Sequence, residues 1–149
     1  MAAKQSFYQT MVIIYGSLIM GVVMFGVVVL FLNSESKKQI YEIDIMGYIA
    51  IIFAMSAPAI GIFLYNKKIR ESKDLPVAKK MEIWRTANII RAALIEAPAL
   101  FAIVNLLITG GDIFLYVYVA MVVVMVFYFP TKNRVKNDLQ VSDADLELN

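Results

Sequence analysis

The sequence predicts an all-α membrane protein with four transmembrane helices, and three observations lead there. Sixty percent of its 149 residues are apolar and 17 percent are charged, whereas a soluble domain carries about 45–50 percent apolar residues. The apolar residues are gathered into long runs split by short charged patches, the arrangement a bilayer solvent imposes. No run alternates with the period of two of a barrel strand, so helices satisfy the backbone and strands do not fit.

The first span covers residues 7–32 and carries no charge. At about 1.5 Å per residue it crosses a hydrocarbon core of about 30 Å with room to tilt. It exceeds the roughly 7–15 residues of a signal-peptide core and lacks a small-residue cleavage site, so it is expected to remain as a helix. A polar segment, 33–44, leads to the second span, 45–65. A basic loop over 66–85 follows, with Lys67, Lys68, Arg70, Lys73, Lys79, Lys80 and Arg85. The third span, 84–108, carries Arg91 and Glu96. Thr109-Gly110-Gly111-Asp112 reads as a tight turn whose glycines tolerate positive φ. The fourth span, 113–129, is closed by Pro130. Residues 1–130 thus form a four-helix membrane domain and 131–149 a polar tail. In that tail Val135 and Leu139 stand four apart, as on a short helix lying on the membrane surface, and Asp143, Asp145 and Glu147 make a solvated acidic end.

Orientation follows from the basic residues of short loops. One side holds Lys4, the seven basic residues from Lys67 to Arg85, and Lys132, Arg134 and Lys136, whereas the other holds Lys37 and Lys38. Both termini and the central loop are therefore expected in the cytoplasm, with the chain in the cytoplasmic (inner) membrane. Tyr65, Trp84, Tyr128 and Phe129 would sit at the inner interface, and Tyr41 and Tyr48 near the outer one.

A shift of 76 residues lays the first span over the third. Thr10 meets Thr86, Ile13 and Ile14 meet Ile89 and Ile90, and Phe25 meets Phe101. Small residues also coincide, with Gly16, Ser17, Gly21 and Gly26 over Ala92, Ala93, Ala97 and Ala102. The second and fourth spans align more weakly, through Ala54/Ala120, Met55/Met121 and Phe63/Phe129. Two duplicated helical hairpins in parallel orientation are the expected architecture. Glu96 falls over Met20, so the carboxylate belongs to one copy alone.

The residue inventory narrows function. Without cysteine there is no disulfide, zinc–thiolate site or thiol nucleophile, and without histidine there is no imidazole ligand or general base of the usual kind. Neither a nucleophile–base pair nor a metal cluster is visible, so no enzyme, metal or cofactor is expected. The net charge of +2 is small, and nucleic acid is not an expected partner.

Two features carry the functional reading. On the second span Gly47, Ala50, Ala54, Ala57 and Gly61 follow at intervals of 3, 4, 3 and 4. They share one face, where small side chains let helix backbones approach closely. Packing within the four-helix unit accounts for the stripe, as would packing in a ring or on a partner. On the third span Glu96 lies about twelve residues from either end, with Ala92, Ala93 and Ala99 on its face. A charge at that depth costs about 2.5–3.5 kcal/mol, and desolvation favours the neutral acid. Glu96 could bind a proton or cation, or lock helices together by hydrogen bonds. Arg91, Asn88 and Asn105 are its possible partners on the same helix. Arg91, however, points about 140° away, so it is expected to pair with a glutamate on a neighbouring helix or chain or, being about two turns from Trp84, to snorkel toward the cytoplasm.

Residues 47–108 resemble the hairpin of the ATP synthase c subunit, the proteolipid of rotary ATPases. The segment GYIAIIFAMSAPAIGIFLY is similar to that family's small-residue helix, KKIRESKDLP lies in the position of its polar loop, and Ala93-Leu94-Ile95-Glu96-Ala97 looks like its carboxylate segment. The resemblance implies an ion-binding role for Glu96. Arg91 stands where the family has a small residue, and two further spans flank the hairpin. Two functions are thus expected in competition. One is a non-catalytic subunit or scaffold that forms a homo-oligomer or joins other membrane subunits. The other is a proteolipid-like protein that moves a proton or cation through Glu96.

Overall fold

The long apolar runs do form helices. The computed structural model describes residues 7–33 and 44–142, and among them the chain is all-α. Its helices are α1 (Phe7–Asn33), α2 (Ile45–Glu71), α3 (Val77–Thr109), α4 (Asp112–Phe127) and α5 (Lys132–Leu139). Lys4, Lys37, Lys38, Tyr41 and the acidic end at Asp143, Asp145 and Glu147 lie outside the described residues.

Helices α1, α2 and α3 are each long and apolar enough to cross a membrane. The fourth run behaves differently. Helix α4 has 16 residues, about 24 Å of rise against a core of about 30 Å. It has the length of a span only together with α5, and the two are bent by 69°. Pro130 sets the break: it has no N–H for a helical bond and disfavours helix in the residue before it. Tyr128 accordingly caps α4, its N–H donating to the Val124 carbonyl at 3.0 Å.

The loop expected over 66–85 contracts to a short turn. Helix α2 runs on through its basic residues to Glu71, where the Ser72 hydroxyl donates to the Ile69 carbonyl at 2.8 Å, and α3 begins at Val77. Charged side chains end an apolar run, but they favour helix once the chain is in water. At the other end, Asp44 caps α2 by accepting the Gly47 N–H at 2.9 Å. In the α3–α4 turn Gly110 takes φ of 70°, the left-handed cap that glycine adopts without strain, and Gly111 does not.

Helix α3 is the hub. It packs along α2, α4 and α1 and also touches α5, whereas α1 and α2 make no extended contact. The first expected hairpin is therefore not a packed unit, because α3 and α4 separate its two arms. The Phe7 ring lies 6.2 Å from that of Trp84, and Asn33 Nδ2 donates to the Leu106 carbonyl at 2.8 Å. Helices α1 and α3 thus run side by side in the same direction.

The buried face of α1 is Met11, Tyr15, Val22, Gly26 and Val29. Residues 76 further on are Ala87, Arg91, Pro98 and Ala102, all buried, and Asn105, half-buried. No such correspondence joins α2 to α4. Ala50, Ala57 and Gly61 are buried, but Tyr116, Val123 and Phe127, each 66 residues later, are exposed. The small face of α2 turns inward to α3, while α4 uses larger side chains on another face.

Candidate functional site

Two polar constellations stand out against the apolar helices. The first gathers at the end of the bundle that carries the basic α2–α3 turn. Arg91 is 3% exposed there, so it does not snorkel into water as expected. Its Nη2 donates to Asn88 Oδ1 at 2.6 Å, and its guanidinium lies 3.9 Å from the centre of the Tyr65 ring and 4.8 Å from that of Tyr128. Burying a cation is expensive unless it is compensated, and aromatic faces return about 2 kcal/mol when the pair is desolvated. Arg91 Nε has no hydrogen-bond partner among the described residues. Asn88 is itself fixed, donating to the Trp84 carbonyl at 3.0 Å.

Helix α5 closes this cluster. The Tyr65 hydroxyl donates to Asp138 Oδ2, and Trp84 Nε1 approaches the same oxygen at 3.5 Å. Arg134 Nη1 donates to the Phe127 carbonyl at 3.0 Å and the Phe129 carbonyl at 3.4 Å. Phe127 ends α4 and Phe129 lies just beyond it; carbonyls at a helix C-terminus lack intrahelical donors, and a cation suits them. Val135 and Leu139 are buried with Met11, Tyr65, Ile69, Met81, Trp84 and Ala87. The apolar stripe of the tail therefore faces protein, not the membrane surface expected for it, because the helix ends offer it an apolar seat.

The second constellation is defined by isolation. Glu96 is half-buried in the middle of α3 and has no hydrogen-bond or ionic partner among the described residues. Arg91 and Asn88 are engaged with each other, and Asn105 Nδ2 donates to the Phe101 carbonyl at 2.8 Å. None of the three expected partners reaches the carboxylate. Ile95 and Ala99 are fully buried, whereas Ile89, seven residues before Glu96 and hence on its stripe, is 39% exposed. Glu96 thus marks the edge of the packed face.

The expected packing residues divide. Gly47, Ala50, Ala57 and Gly61 are buried and Ala54 is half-buried; Ala92 and Ala99 are buried, but Ala93 is exposed and does not pack. Ala93 lies about 100° beyond Ala92, which carries it past the edge of the contact. A β-carbon on Gly61 would sit 3.4 Å from the Arg91 Cα, a measure of how closely α2 and α3 approach.

Sequence reasoning missed a reciprocal pair of tyrosines. The Tyr15 hydroxyl of α1 donates to the Met125 carbonyl of α4 at 3.3 Å, and the Tyr118 hydroxyl of α4 donates to the Val22 carbonyl of α1 at 3.0 Å. The signal was available: a phenol inside an apolar run needs a partner. Asp138 and Arg134 escape the sequence reading because a tail helix laid on the membrane surface would turn its polar side chains to water, whereas α5 packs on the helix ends.

The chain is of the integral-membrane, all-helical class, with three helices long and apolar enough to span a bilayer. Compared with models of protein families, with curated proteins and with solved structures, it matches none.

Proposed function

We propose that this protein is a non-catalytic membrane subunit that assembles with other copies or other membrane chains along the Glu96 edge of α3. The observation that carries the reading is the half-buried Glu96, in mid-span and without a polar partner among the described residues. In hydrocarbon such a group needs a proton or a polar neighbour, and membrane carboxylates of this kind face other helices or water. A neighbouring chain supplies that neighbour. In this reading the chain has four spans, the last over 113–129, and both termini lie in the cytoplasm.

The chain has no cysteine, so single cysteines report contacts cleanly. Ile89→Cys lies on the Glu96 stripe, and Met55→Cys lies on the exposed side of α2. Crosslinking in native membranes should give a discrete higher-mass product from Ile89→Cys and none from Met55→Cys. The added substitution Glu96→Leu should abolish that product. Equal crosslinking from both positions, unaffected by Glu96→Leu, would sink the proposal.

A second reading has its own support. Arg91 is held by Asn88 and two tyrosine rings, so no fixed cation on α3 neutralises Glu96. That favours a proton- or cation-carrying carboxylate, as the proteolipid resemblance implies. Cations that compete for the site would then protect Glu96 from chemical modification, which a purely structural contact does not require.

A further inference from the structure

From the sequence, the basic residues between the second and third spans read mostly as a topology signal, with some contact to anionic lipid. Their placement is more specific. Lys68, Leu75, Lys79, Glu82, Ile83 and Thr86 line one cleft where the ends of α2 and α3 meet. Neither lysine has an ion-pair partner among the described residues, although Glu82 lines the same cleft. No side chain caps the start of α3, so the positive end of its dipole adds to the field of the two lysines. Leu75 and Ile83 give the cleft an apolar side. Leu64, four residues before Lys68, and Ile90, seven after Ile83, are half-buried along the same two faces.

We infer that this cleft binds the phosphate of an anionic phospholipid, with an acyl chain lying in the α2–α3 groove below it. Lys68 and Lys79 converge on the phosphate from two helices. Glu82 leaves the cleft with a net positive charge and is positioned to accept a headgroup hydroxyl. The phosphate chemistry alone would suit a soluble anion as well. The apolar side and its continuation along Ile90 favour the lipid, since a free phosphate gains nothing from either. Basic pockets between membrane helices recognise lipid headgroups in this way.

The test uses the full chain purified in detergent and native mass spectrometry. Phosphatidylglycerol, phosphatidylcholine and inorganic phosphate are added in separate arms. The double variant Lys68→Gln, Lys79→Gln is compared with Lys67→Gln, Lys73→Gln, which removes the same charge from positions outside the cleft. Melting of each variant without lipid checks folding, and Lys68→Arg, Lys79→Arg restores the charge. The expected result is a retained phosphatidylglycerol adduct on the wild type, the outside variant and the arginine variant. The cleft variant should bind about thirty-fold more weakly, from the loss of two lysine contacts. Equal weakening by both glutamine pairs would overturn the site in favour of diffuse attraction. Equal retention of phosphatidylcholine, or displacement of the lipid by millimolar phosphate, would overturn it as well.

Discussion

Gly26 makes room for the Tyr118 hydrogen bond between α4 and α1. Tyr118 reaches the Val22 carbonyl by crossing directly over Gly26, where a β-carbon would fall 2.0 Å from its hydroxyl oxygen and 2.5 Å from the ring. Alanine gains about 1 kcal/mol of helix propensity, but overpacking costs about 1–3 kcal/mol and the displaced phenol loses its bond. Gly26→Ala is therefore expected to lower the melting temperature in detergent. At Gly16 and Gly21 a β-carbon meets nothing within 4 Å, so alanine there should be neutral or stabilise by up to about 1 kcal/mol. Tyr118→Phe should cost about 1 kcal/mol alone and almost nothing in the Gly26→Ala background, since the bond is already broken. Full additivity of the two changes would show that Gly26 does not serve Tyr118.

At the scale of the element, α5 ties the helix ends together. It is only eight residues long, too short to be stable in isolation. Its order comes from Val135 and Leu139 in the apolar cluster, from Asp138 on Tyr65, and from Arg134 on the last carbonyls of α4. Asp138→Ala leaves the buried Tyr65 hydroxyl without its acceptor and should loosen α5 by about 1–3 kcal/mol. Trypsin then cuts faster at Arg134 and Lys136, because proteolysis follows local opening. Asp138→Asn keeps an acceptor oxygen and should be cut at nearly the wild-type rate. Identical cleavage of Asp138→Ala and the wild type would show that the apolar contacts alone hold the helix.

For the whole molecule, the separation of Arg91 from Glu96 has a direct consequence. Both lie on α3, yet the cation is buried and enclosed by Asn88, Tyr65 and Tyr128 while the carboxylate stands half-buried at the edge of the bundle. A hydrophobic carbodiimide, which attacks the protonated acid, should therefore label Glu96 in the folded protein near neutral pH. Glu96→Gln should abolish the labelling, and Arg91→Ala should leave its rate unchanged within about two-fold, since a contact not made cannot be lost. An unreactive Glu96 that becomes reactive only in Arg91→Ala would place the two groups together, across chains, and contradict the separation.

Composition and run length by themselves determined that the chain is helical and apolar on the scale of a bilayer, because hydrocarbon demands about twenty apolar residues per crossing and internal backbone bonds. The left-handed turn at Gly110 follows from local chemistry that the chain carries within a few residues, whereas the continuation of α2 from 65 to Glu71 did not show in the apolar run. Which polar groups meet did not follow. Asp138 reaches Tyr65 across 73 residues, and Tyr15 reaches Met125 across 110. A buried donor must find an acceptor, but the sequence does not say on which helix. The same holds for Arg91, whose charge alone pointed toward water, and for the hairpins, whose repeat pattern pointed to pairing of α1 with α2. The tertiary structure decided these matters, because α3 presents apolar surface to three helices at once and each neighbour is placed by the shape and hydrogen-bonding needs of the others.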